Sequence, residues 1–140
     1  MYDTKLAMAM EKQDIGSMED IKMLVNTFYD RIRKQEILGP IFDRHIEGRW
    51  PEHLEKMYRF WQTLLLGDNT YDGRPFPPHA KLPIGEEHFT IWLALFNTTV
   101  DDLFAGDRAD EAKWRGQKMA AIFQSKLHFI QQNPDKKMLF

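Results

Sequence analysis

The sequence predicts an all-α domain, and three observations lead to this prediction. Apolar residues recur every three or four positions through long stretches, the spacing that gives a helix one buried face. No stretch alternates convincingly between apolar and polar residues, as a half-buried strand does. The chain has 140 residues, which is enough for one domain with its own core but short for two.

The first long helix is predicted to begin after Ser17 and to end near Gln35. The Ser17 hydroxyl can cap the helix, and Asp20 brings an acid to its positive end. The apolar residues of this stretch share helical spacing: Ile21, Leu24, Val25, Phe28 and Ile32. Residues 1–14 mix Met, Ala and charges without a clear packing surface, so we assign them to an N-terminal extension.

Two further helices are predicted in the first half of the chain. Pro40 suits the first turn of a short helix through Ile41 and Phe42, because the N–H that proline lacks has no helical partner there. The Trp50-Pro51 pair then opens a third helix, which Gly67 ends. Two neighbouring rows of this helix carry large apolar residues, which predicts burial over a wide arc: Trp50, Leu54, Met57, Trp61 and Leu64, and beside them His53, Met57, Phe60 and Leu64.

The segment 68–85 is poor helix material, because it holds several glycines and prolines. Two long helices are predicted after it, over 86–104 and 108–131, and a tail over 132–140 ends the chain. The residues expected to face inward from these helices are Phe89, Trp92, Leu93, Phe96, Val100 and Leu103, then Ala112, Met119, Ile122, Phe123, Leu127 and Ile130.

The composition excludes several classes of protein. With no cysteine, the chain has no disulfide framework, zinc ribbon, iron–sulfur cluster, thiol nucleophile or covalently attached c-type haem. A net charge of −2 makes nucleic acid an unexpected partner. The longest apolar run, from Ile91 to Phe96, is far too short for a membrane span, and no signal-peptide pattern precedes it. We therefore expect a cytoplasmic protein that does not enter membranes.

The five histidines narrow the chemistry further. None belongs to a Glu-x-x-His, His-x-x-x-His or His-Glu-x-x-His pattern, so di-iron and zinc-protease sites are not indicated. No nucleophile elbow and no Gly-x-Gly phosphate loop occurs. What remains is a site in which a single histidine is the ligand to a bound metal or cofactor. We interpret His45, His88 and His128 as surface or helix-end residues without such a role.

His79 is the candidate for that single ligand. It follows Pro77-Pro78 and precedes Pro83, so only about one turn of helix fits around it. A short, rigid element that carries one imidazole beside Phe76 and Leu82 suits a proximal haem mount. The alternative is an exposed loop histidine, and the spacing alone favours that alternative.

Several short motifs follow one another along the chain with consistent gaps. They are Phe28-Tyr29, Leu38-Gly39-Pro40-Ile41-Phe42, Trp50 with His53, Phe60-Trp61, Leu66-Gly67, Tyr71-x-Gly73-x-Pro75-x-x-x-His79 and Phe89-x-x-Trp92-Leu93-x-Leu95-Phe96. Together they resemble the truncated haemoglobins, and within them group III, over residues 15–131. The Gly-Gly pairs of the other two truncated groups are absent, which fits this assignment.

The resemblance implies a truncated globin domain over 15–131, folded as a two-over-two helical sandwich around haem b. It implies that His79 binds the iron as proximal ligand. It places His53, Tyr29 and Trp92 on the distal side, where the last two are hydrogen-bond donors that could stabilise a ligand with partial negative charge. The other residues expected to bind the cofactor are Phe42, Met57, Phe60, Phe76 and Leu82.

The function that follows from the resemblance is the binding and transport of dioxygen, with nitric oxide and carbon monoxide as further ligands. A redox alternative is a peroxidase-like or nitric-oxide-detoxifying haem protein, which needs an external reductase because the chain has no flavin or nicotinamide fingerprint. An alternative of another class is a haem-free helical sensor or interaction module. The sequence does not decide whether His53 binds the ligand, acts as a gate or binds the iron itself.

Overall fold

The computed structural model describes residues 12–71 and 84–133, and in these two ranges it contains five α-helices and no strand. They are α1 Met18–Lys34, α2 Leu38–Ile46, α3 Trp50–Leu66, α4 Glu86–Leu103 and α5 Asp107–Gln132. The all-α prediction is confirmed. Three predicted cofactor residues lie outside the described residues: Phe76, His79 and Leu82.

Local side-chain chemistry accounts for the ends of the first three helices. The Ser17 hydroxyl accepts a hydrogen bond from the Asp20 N–H at 3.3 Å, so the predicted cap of α1 is present. The Gln35 side-chain oxygen accepts from the N–H groups of Ile37 and Leu38 at 2.7 and 2.6 Å, a start for α2 that the sequence reading missed. Gly67 ends α3 with φ +75°, a left-handed conformation that favours glycine.

The helices pack as two pairs. α1 packs against α3, and α4 packs against α5, while α1 also contacts α2 and α4 and so joins the two pairs. This is the expected two-over-two arrangement. In the described part of the chain, no helix is both long and apolar enough to span a membrane.

Small residues shape the face that α5 turns toward its neighbours. Its buried residues are Ala109, Ala112, Gly116, Ala120 and Leu127. Short side chains let the α4 and α5 backbones approach closely, and larger ones on α4, such as Phe96, fill the space between them. Ile122 was expected to face inward and is instead 51% exposed, because it lies off this small-residue face.

Residues 12–14 contact the junction between α4 and α5. Both Asp14 carboxylate oxygens accept backbone N–H groups at the start of α5, from Arg108 and Ala109, each at 2.9 Å. Lys12 Nζ donates to the carbonyl oxygen of Asp101 at 2.7 Å. Asp14 therefore caps α5 from a distant part of the sequence, which no local pattern could indicate.

Candidate functional site

All five helices contribute side chains to one cavity. Its empty volume is about 730 Å³, a value within the usual range for small-molecule sites. Part of this volume is open to solvent. The lining is almost entirely aliphatic and aromatic. The cavity therefore suits a largely apolar occupant that makes only a few polar contacts.

Five of the predicted site residues line this cavity: Tyr29, Phe42, Met57, Phe60 and Trp92. They come from four helices, since Tyr29 lies on α1, Phe42 on α2 and Trp92 on α4, and the remaining two lie on α3. The fold thus brings together residues that are far apart in sequence.

His53 lies beside the cavity rather than in its lining. Its ring is 5.0 Å from that of Tyr29, between centroids, and nearly perpendicular to it. The Trp50 ring is 5.9 Å away, and the His53 Nε2 atom is shielded from solvent. In this arrangement His53 contacts Tyr29, which itself lines the cavity, so its distal role stays a prediction.

The polar groups in the lining are few, and two of them, Tyr29 and Trp92, are hydrogen-bond donors. Tyr29 is 8% exposed, and burial raises the pKa of its hydroxyl above the ordinary value of 10.0. Tyr29 therefore keeps its proton and remains a donor.

His88 is the third polar residue of the lining, and the sequence reading gave it no chemistry. Its place at a helix end was predicted correctly, because it lies in the first turn of α4. The His88 Nδ1 atom accepts the Gly85 N–H at 3.0 Å. A neutral imidazole that accepts at Nδ1 carries its proton on Nε2, so Nε2 is a donor here and has no free lone pair for a metal.

Nine lining residues were not predicted as site residues. In addition to His88 they are Phe28, Leu38, Trp61, Ile84, Phe89, Met119, Ala120 and Phe123. Trp61 and Phe89 were expected mainly as core residues, because helical spacing of aromatic residues indicates burial and does not distinguish a packed core from a cavity wall. Met119 and Phe123 on α5 were expected to face inward, but only the packing of α5 against α4 shows that they and Ala120 meet the cavity.

An aromatic layer supports this lining from behind. The Phe96 ring stacks on Trp92, with 5.5 Å between centroids and 4° between planes, and on Trp61 at 5.0 Å and 18°. Phe28 meets both Phe96 and Trp92 edge-on, at 5.2 and 5.4 Å. These contacts hold three lining rings in fixed orientations.

The described groups fit a flat apolar cofactor with a polar centre, such as haem. Aromatic and aliphatic walls suit a porphyrin plane, and the donors Tyr29 and Trp92 suit a polar ligand at its iron.

Comparisons with known proteins show which family the chain belongs to. The bacterial-like globin family model matches residues 12–126. Group 3 truncated hemoglobin ctb from Campylobacter jejuni is 35% identical over 116 residues, which cover 80% of this chain and 91% of that protein. The crystal structure of group III truncated hemoglobin from Campylobacter jejuni aligns with a TM-score of 0.75 and covers 83% of this chain and 94% of that one. The chain therefore belongs to the bacterial-like globins, and among these haem-binding proteins it is a group III truncated haemoglobin.

Proposed function

We propose that the cavity binds haem b without a covalent bond, that His79 is the ligand to the iron, and that dioxygen binds on the side of Tyr29 and Trp92. The observation that carries this proposal is an apolar cavity whose lining includes two hydrogen-bond donors, Tyr29 and Trp92. Family membership supports the cofactor, and the absence of cysteine excludes the thioether attachment of c-type haem.

When bound, haem supplies an iron centre that takes up diatomic gases. Phe42, Met57 and Phe60 contribute apolar contacts that exclude water from the cavity. Nitric oxide and carbon monoxide fit the same space as dioxygen, so the donors rather than the cavity size distinguish the three gases.

Tyr29 and Trp92 stabilise a ligand that carries partial negative charge. Each neutral hydrogen bond contributes about 0.5–1.5 kcal/mol. Because burial keeps the Tyr29 proton in place, its hydroxyl donates at every pH near neutrality. Two such donors slow ligand release more strongly than one.

A redox function is the second candidate, and the Tyr29–His53 contact favours it. A phenol and an imidazole, packed 5.0 Å apart between centroids, bring a hydrogen-bond donor and a side chain able to transfer protons to the edge of the cavity. A peroxidase-like or nitric-oxide-detoxifying reaction uses such groups, with electrons from an external reductase. Peroxide turnover against a reducing dye, compared between the unaltered protein and His53→Leu, separates this function from ligand storage.

Visible absorption spectra test the proposed function. The purified protein, supplied with haemin, is recorded in its ferric, ferrous and carbon-monoxide-treated states. We expect an intense haem band that shifts between the three states and saturates at one haem per chain. A protein that takes up no haemin contradicts the proposal and leaves the haem-free interaction module as the better description.

A further inference from the structure

Gly116 occupies the middle of the long helix α5, where alanine is the more favourable residue for a helix. It is buried, and a side chain at this position would press on a neighbouring ring. A Cβ atom at this position would lie 3.0 Å from Phe96 Cδ2 and 3.1 Å from Phe96 Cε2. The glycine therefore allows α5 to approach the edge of the Phe96 ring.

Phe96 lies behind the cavity and touches three of the rings that line it. It is 1% exposed, and it stacks on Trp92 and Trp61 and meets Phe28 edge-on. A ring confined in this way cannot turn aside without displacing a neighbour. Any shift at Gly116 is passed to the cavity walls.

We propose that Gly116 and Phe96 are positioning residues that fix the indole of Trp92. The proposal rests on the function given above, in which Trp92 donates a hydrogen bond to the bound gas. Neither residue lines the cavity. Gly116 sets where the Phe96 ring lies, and the parallel Phe96–Trp92 stack sets where the indole N–H points.

Gly116→Ala tests this directly. The added methyl group forces the Phe96 ring to move by a few tenths of an ångström, and the stacked indole moves with it. Because hydrogen bonds weaken steeply as their angle departs from linear, we expect dioxygen to dissociate roughly two- to tenfold faster. Carbon monoxide carries less negative charge when bound, so its dissociation rate should change less.

A double-mutant cycle distinguishes positioning from general loosening of the fold. In the Trp92→Phe background, Gly116→Ala should have no further effect on dioxygen release. The control is Gln117→Ala, which alters the next, exposed residue of α5 and should leave both rates unchanged. Equal effects of Gly116→Ala with and without Trp92 overturn the proposal.

A measurement without haem separates this inference from the proposed function. In ¹H–¹⁵N spectra of the haem-free protein, the indole signal that Trp92→Phe removes is assigned to Trp92. Gly116→Ala should shift this signal and leave that of the 54% exposed Trp114 in place. If Gly116→Ala does not fold, Phe96→Leu removes the stack without a clash and should shift the same signal. An unmoved Trp92 signal overturns the inference, whereas failure to bind haemin overturns only the proposed function.

Discussion

At the scale of single residues, the cavity depends on chemistry that the sequence indicates only in part. Tyr29 and Trp92 were expected as donors from a resemblance to a family, and both line the cavity. His88 was not expected there, because a histidine at a helix start gives no signal of which way its ring faces. Its contact with the Gly85 N–H becomes visible only when the backbone ahead of α4 is folded.

Removing the two donors should accelerate ligand release. We expect Tyr29→Phe and Trp92→Phe each to raise the dioxygen dissociation rate roughly two- to tenfold, since each removes one neutral hydrogen bond. The double variant should release dioxygen faster than either single variant. Flash photolysis or stopped-flow displacement measures these rates.

The pH dependence of the same rate tests the state of Tyr29. Because burial raises its pKa above the ordinary value of 10.0, dioxygen release should stay constant from neutral pH up to about that value.

Tyr58→Phe is the matched control for the Tyr29→Phe substitution, since the Tyr58 hydroxyl bonds to Asn26 at the surface. Rates in Tyr29→Phe that equal those of Tyr58→Phe would remove Tyr29 from the ligand-binding role.

At the scale of helices, the sequence predicted the existence and the approximate ends of all five described elements. Caps and breakers near each end explain this success: Ser17 before α1, Pro40 inside α2 and Gly67 after α3. Contacts between distant segments could not be predicted, because nothing in the local sequence marks Asp14 as the cap of α5. The inward orientation predicted for Ile122 was wrong for the same reason, because packing against α4 decides which face of α5 is buried.

Loss of the Asp14 cap should destabilise the fold. Burial alone would raise the pKa of this carboxyl group, but hydrogen bonds from the N–H groups of Arg108, Ala109 and Ile15, together with the Arg108 charge, lower it below 3.8. Asp14→Ala removes these bonds, and we expect the free energy of unfolding to fall by about 1 kcal/mol. Asp30→Ala is the control, because it removes only an exposed pair with Lys34 on one helix.

The lowered pKa of Asp14 also fixes the sign of its pH dependence. The carboxylate contributes stability that is fully present above its unfolded pKa, near 3.9, and is lost as the pH falls through its lower folded pKa. The difference in unfolding free energy between the unaltered protein and Asp14→Ala should therefore shrink below about pH 4. Urea unfolding at several pH values measures it, and a difference that grows toward low pH contradicts this assignment.

At the scale of the whole molecule, two helix pairs surround one cavity, and α1, which packs against α3 and also contacts α4, joins the two pairs. Helical periodicity predicts each amphipathic face but not the space left between faces, so the cavity follows from the assembly and not from any one helix. The resemblance to group III truncated haemoglobins supplied this arrangement, and the family match confirms it.

The central claim is that this cavity holds haem through His79. The most direct measurement is a haemin titration, followed by visible absorption, of the unaltered protein, His79→Ala and His128→Ala, whose histidine is exposed on α5. We predict that His79→Ala binds haemin at least about tenfold more weakly, a loss of 1.4 kcal/mol or more, and shows an altered ferrous spectrum, while His128→Ala matches the unaltered protein. A His79→Ala protein with the same affinity and the same spectra as the unaltered chain would contradict the claim.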